Sequence, residues 1–301
     1  MDRFESMSVI VTVAEAGSLS AASRKLGVPV PTVSRRLADL EAHLNVQLFQ
    51  RSSRRMSLTQ AGRSYVEACK RIIEQVDDAE REASGEYRTP TGDLTVTSPW
   101  GIGHLHLLPL ACEFLSVYPD IKLRLLLSDR VLSAVENNID VGIRIGPLPD
   151  SSMVAMRIGS IRVVACASPE YLAARGRPQS LQDIIEHDCI TIDDTGAPRN
   201  WKFAAGDVEI IAPILSRLTV NTSEAAVEAA VLGAGIARVM SYKMEAERRA
   251  GSLVVILEQF EKEPLPVHIL YTERKPMPLK LRVFLNWLAP RLKARLTPIV
   301  V

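Results

Sequence analysis

Apolar positions at the start of the chain recur at helical spacing, and glycines punctuate them. Phe4, Met7, Ile10, Val11, Val13 and Ala14 line one side of a helix over residues 3–16, and Gly17 stands where a left-handed cap would end it. Ser18 or Ser20 can cap a second helix through Ala21, Ala22 and Leu26, closed by Gly27. Its alanines allow two short helices to cross closely. A third helix beginning near Pro31 buries Val33, Leu37, Leu40 and Leu44, spaced 4, 3 and 4 apart. Proline is tolerated there because the first helical turn has no use for its missing N–H. Two short strands follow, Leu48 to Arg51 and Met56 to Leu58, around the polar turn Ser52, Ser53, Arg54 and Arg55.

The outer side of the third helix presents Pro31, Thr32, Ser34, Arg35 and Arg36. Short hydroxyls and arginines at a helix start suit a DNA major groove, although a solvated polar face on a structural helix would read the same way. The strand pair shifts the balance. A cationic wing with Arg51, Arg54 and Arg55 can reach phosphates or the minor groove beside that helix. Helix, turn, helix and wing in this order predict a winged helix-turn-helix over residues 1–58. Charge supports it: the 301-residue chain has a net charge of only +1, yet residues 1–63 hold nine basic and five acidic side chains. A basic head on a slightly acidic body places phosphate contact in the head alone.

Behind the wing, Thr59 can cap a long helix on which Tyr65, Cys69, Ile72, Val76, Ala79 and Ala83 fall at intervals of 4, 3, 4, 3 and 4. That seam pairs helices side by side, which predicts a homodimer through residues 59–88; packing against the chain's own core would give the same spacing. A Gly/Thr/Pro hinge from Gly85 to Gly92 leads into the remainder, residues 89–301. Strands are predicted over 94–98, 122–127, 140–145, 161–167, 189–192, 217–220 and 267–271. Helices are predicted over 103–116, 131–137, 223–232 and 278–292. The alternation implies an α/β body on parallel sheets. It divides into lobe I (about 93–162 and 269–301) and lobe II (about 163–268), with crossing strands near Val163 and His268.

Ligands of open α/β sheets sit beyond the carboxyl ends of strands. That rule nominates Ser98, Pro99, Trp100, Gly101, Ser128, Arg144, Gly146, Thr191, Asn221 and Thr222 for a small-molecule effector in the inter-lobe cleft. Each also has a plain packing role open to it: Trp100 as core or lid, Arg144 as an inter-strand ion pair, Asn221 as a helix cap.

Other functions find little support. Cys69, Cys112, Cys166 and Cys189 are scattered, form no CxxC pair and match no metal-site spacing. No GxSxG, P-loop or nucleophile–base pair is present, and nothing implies a cofactor. The start, MDRFESMSVI, has acids and no apolar h-region, and no apolar run has membrane-spanning length, so a cytoplasmic protein is expected. A transport receptor would not need the head, and a purely architectural DNA binder would not need a cleft.

The stretches AEAGSLSAASRKLGV, PTVSRRLADLEAHLNVQLF and RSSRRMSLTQAG resemble the DNA-binding head of the LysR-type transcriptional regulators. The body resembles the family's effector domain, of periplasmic-binding-protein (type 2) architecture, through DVGIRIGPLPDSSMVAMRIG, ASPEYLAARGRPQSL and NTSEAAVEAAVLGAGIA. Pro29 and Pro31 depart from the family's usual polar residues. The resemblance implies double-stranded DNA as partner, a linker-helix dimer with a tetramer open, and a metabolite effector whose identity the fold does not name.

Overall fold

A computed structural model of the chain describes residues 2–51, 56–83, 89–130, 137–148, 153–193, 200–206, 208–273 and 277–296. Helix α1 (Arg3–Ala16) starts on the Asp2 carboxylate, which accepts from the N–H groups of Phe4 and Glu5 at 2.9 and 3.2 Å, and it ends on Gly17 at φ +69°. Helix α2 (Leu19–Leu26) is capped by the Ser18 hydroxyl. Helix α3 (Val30–Leu44) enters through Pro29 and buries Val33, Leu37 and Leu40, while Leu44 is only half-buried. Strands β1 (Phe49–Arg51) and β2 (Met56–Leu58) pair antiparallel, with Phe49 opposite Leu58. The Glu41 carboxylate fixes the wing's base by accepting from the N–H groups of Leu48 and Phe49 at 2.8 and 3.1 Å. Helix α4 (Gln60–Ala83) begins on Thr59, whose hydroxyl accepts from the Gly62 N–H at 2.9 Å and donates to the Gln47 carbonyl at 2.8 Å.

The body opens with β3 (Gly92–Ser98). It runs into α5 (Trp100–Ile102), a π turn over Gly103–Leu107, and α6 (Leu108–Val117). Strands β4 (Ile121–Leu127) and β5 (Val141–Ile145) flank β3 in parallel, and β6 (Met153–Ile161) leads out of the lobe. Lobe II contains β7 (Val163–Ala167), α7 (Pro169–Arg175) and β8 (Asp188–Ile192). A hairpin of β9 (Trp201–Ala205) and β10 (Val208–Ala212) precedes β11 (Leu215–Val220) and α8 (Ser223–Val231). Strand β12 (Ile236–Met240), the 3-10 turn Ser241–Lys243, α9 (Glu245–Ala250) and β13 (Val254–Ile256) complete it. Strand β14 (Leu265–Thr272) then rejoins lobe I, and α10 (Leu279–Leu296) covers its core, where Phe114 and Phe284 meet edge to face at 5.1 Å. The sheets run β4-β3-β5-β14-β6 and β11-β8-β12-β7-β13.

Three expectations change. The sheets are mixed rather than parallel: β14 runs against β5 and β6, and β7 runs against β12 and β13. Two crossings between lobes explain this, because a chain arriving from the neighbouring lobe enters the sheet from its opposite end. The single strand expected over 161–167 is split at Arg162 into β6 and β7. The return to lobe I falls before Leu265, which pairs with Ile161, and not near residue 269. Arg162 clasps both crossings, donating from Nε and Nη2 to Glu261, each at 2.7 Å, and from Nη2 to Glu258 at 3.0 Å. Of the helix expected over 131–137, residues 131–136 lie outside the described residues. Among the described residues, no helix is long and apolar enough to cross a membrane, and no His/Cys/Asp/Glu cluster could hold a metal ion.

Candidate functional site

Helix α3 has two unlike sides. Val33 and Leu37 are 0% and 1% exposed in the head core, which orients the rest of the helix. Pro31 and Arg35 are exposed, and Thr32 and Ser34 are half-buried beside them. Arg36 is held differently: its guanidinium pairs with Glu5 on α1 at 2.6 Å, so it braces the head. Arg51 ends β1, and Arg54 and Arg55 lie outside the described residues.

The expected dimer seam divides in two. Cys69 is fully buried in the head core with Val66, and Tyr65 packs against the same cluster, so these two positions are spent within the chain. An ion pair between Lys70 and Glu15 at 3.5 Å adds to that contact between α4 and α1. Beyond Cys69 the seam is uncovered: Ile72 is 40% exposed, Val76 is half-buried and Ala79 is exposed. Ala83 is the last residue of α4.

At the mouth between the lobes, the Ser98 carbonyl accepts from the Ser128 N–H at 3.0 Å, tying the ends of β3 and β4 together. The Ser98 hydroxyl is buried and donates to the Pro99 carbonyl at 3.1 Å. The Ser128 hydroxyl accepts from the Arg130 N–H at 3.1 Å. Asp129 accepts from the Trp100 N–H at 3.0 Å. The Trp100 indole is 40% exposed and stacks on His104, with ring centres 4.9 Å apart. A Cβ on Gly101 would stand 2.8 Å from the Tyr242 hydroxyl and 2.7 Å from the Lys243 Cε, so the 3-10 turn of lobe II rests on the start of α5. The Tyr242 hydroxyl also hydrogen-bonds the Ile102 backbone; burial, with Asp129 and Glu224 nearby, pushes its pKa well above the usual phenol value. The Lys243 side chain is only 6% exposed, and its ammonium lies 3.0 Å from the Glu224 carboxylate. Glu224 is in the first turn of α8, which Thr222 caps by accepting from the Ala225 N–H at 3.2 Å; Asn221 and Thr222 are exposed.

The remaining nominees have local duties. Thr191 is 6% exposed, and its hydroxyl meets Ser216 and Thr219 at 2.6 and 2.9 Å, so it ties β8 to β11. Arg144 is half-buried opposite His268 on β14, and Gly146, at φ +96°, donates its N–H to the Pro266 carbonyl at 2.8 Å. No local sequence pattern marks Asp129, Tyr242, Lys243 or Glu224. The same strand-end rule reaches Tyr242 and Lys243 once β12 is recognised as a strand. Burial pushes the Cys166 and Cys189 thiols up to about 12, which keeps them protonated and unreactive.

A winged helix-turn-helix joined by a long helix to a two-lobed α/β body defines a DNA-binding regulator with an effector-binding domain. The chain belongs to the LysR family of bacterial transcriptional regulators. Residues 4–63 match the bacterial regulatory helix-turn-helix protein, lysR family, and residues 88–293 match the LysR substrate binding domain. It is 34% identical to an HTH-type transcriptional repressor of Pseudomonas aeruginosa, over 100% of this chain and 97% of that protein. It is 33% identical to the HTH-type transcriptional activator AaeR of Escherichia coli, over 95% and 93%. The solved structure of CrgA, a LysR-type transcriptional regulator from Neisseria meningitidis, is similar with a TM-score of 0.61 and 31% identity, covering 96% of this chain and 98% of that one.

Proposed function

We propose that the chain works in the cytoplasm as a homodimer, in which two α3 helices read base edges in successive major grooves and a small molecule in the inter-lobe cleft resets their spacing. Thr32, Ser34 and Arg35 face the bases, with Pro31 at the edge, and the wing arginines Arg51, Arg54 and Arg55 hold phosphates. The pairing seam is Ile72, Val76 and Ala79, running on to Ala83. Trp100, Gly101, Asn221 and Thr222 meet the effector; we assign the chain no catalytic role and no cofactor. A tetramer forms through the body. Edge strand β11 leaves Leu215 and Leu218 57% and 37% exposed, and α6 leaves Val117 51% exposed, surfaces that a second copy would cover.

The observation that carries this reading is the two-sidedness of α3: an inner side locked in a core that α4 helps to build, and an outer side with an exposed arginine and short hydroxyls. Effector binding acts through the clasp at Arg162, since any change in lobe closure must pass through the two crossings it joins. Footprinting on the DNA upstream of this gene, with and without candidate metabolites, is expected to show a protected site whose extent or bending changes with one of them. Protection spread evenly over unrelated DNA and indifferent to every metabolite would contradict it.

A further inference from the structure

We propose that Lys243 is the seat for a carboxylate of the effector, and that Glu224 occupies that seat while the cleft is empty of ligand. The inference rests on the reading of the inter-lobe cleft as the effector site and adds the ligand's charge. A buried ammonium needs an anion, because leaving it unpaired away from water is expensive. Lys243 is nine-tenths buried where lobe II touches Gly101 of lobe I, and its anion is Glu224, whose own side chain is 45% exposed. Asp129, a carboxylate close to Tyr242, is engaged with the Trp100 N–H. The pair is therefore unequal: the cation is buried where lobe II meets Gly101, and the anion is half-exposed to solvent.

Such a pair can be exchanged at little cost. A ligand carboxylate would keep the Lys243 charge compensated, and Glu224 would swing into water while still favoured by the N–H groups of α8's first turn. Exchange also changes the inter-lobe contact, because Lys243 and Tyr242 bear directly on α5. A neutral ligand could not displace Glu224 without stranding the ammonium. Trp100 adjoins Gly101 in the chain and is 40% exposed, and its indole, stacked on His104, suits a flat apolar body carrying the acid.

The test uses the full-length protein and a probe panel: benzoate, phenylacetate, succinate and pyruvate, with benzamide and phenylacetamide as neutral counterparts. Binding is read by thermal shift and titration calorimetry. At least one acid is expected to raise Tm where its amide does not. Lys243→Met should weaken that acid about tenfold or more, the range of a hydrogen bond to a charged group. Glu224→Gln should tighten it by emptying the seat. The proposal is overturned if the response survives Lys243→Met undiminished, or if no acid binds either the native protein or Glu224→Gln. Trp100→Ala separates the two readings. A neutral compound that loses binding in Trp100→Ala but not in Lys243→Met leaves the cleft standing and removes the anion seat. Binding untouched by both variants removes the cleft as well.

Discussion

Gly62→Ala is expected to destabilise the DNA-reading head and weaken DNA binding while the two-lobed body is unaffected. A Cβ at this position would lie 1.9 Å from the Leu48 carbonyl oxygen and 2.8 Å from the carbonyl carbon. Both are backbone atoms, so no rotamer change relieves the overlap. Leu48 cannot easily retreat: its side chain is 1% exposed, its N–H is held by Glu41, and its carbonyl accepts from the Thr59 N–H at 3.0 Å. Forcing atoms into such a contact costs about 1–3 kcal/mol and sometimes more. Alanine's helical advantage over glycine, about 1 kcal/mol, is too small to offset an overlap this deep. The damage falls where α4, the wing and the end of α3 meet, so the support of the surface that reads DNA is weakened. Calorimetry should show an early transition for the head and an unchanged one for the body. A melt superimposable on the native protein's would refute the close approach.

Arg35→Ala is expected to weaken the preferred site by about 1–3 kcal/mol while changing random-sequence binding much less. Arg35 is exposed on the outer side of α3. Arg36, one residue on, is tied to Glu5, so Arg36→Ala should act on head stability more than on sequence choice. Arg54→Ala on the wing should lower affinity for all sequences alike and flatten the salt dependence, as loss of a phosphate contact does. Competition binding with specific and scrambled duplexes at several salt concentrations separates the three. Equal loss on both duplexes for Arg35→Ala would remove base reading from that side chain.

The head was legible because 3–4 spacing sorts each helix into an inner and an outer side, and because Gly17 and Gly27 adopt the left-handed caps their positions implied. The alternation of strand and helix gave the two lobes. Short apolar runs such as Ile236–Met240 are ambiguous between strand and helix, which hid β12 and the turn behind it. The antiparallel strands follow from the crossings, which local periodicity does not record. On α4, the spacing is the same whether the partner is a second copy or the chain's own core, and only packing assigned Tyr65 and Cys69 to the head. The pairing of Lys243 with Glu224 joins residues 19 apart across a strand and a helix, beyond the reach of any local pattern.

On the proposed reading, α3 lies in the major groove with its outer side toward the bases. Ala38, exposed one turn after Arg35, gives a place to test it without disturbing the reading residues. A radical-generating chelate attached to Ala38→Cys, in a Cys112→Ser background that removes the exposed native thiol, should cut bound DNA in two short windows. Those windows should be centred on major grooves about one helical turn, or a multiple of it, apart. Cutting that is absent, confined to minor grooves, or scattered along the duplex without that spacing would contradict the account.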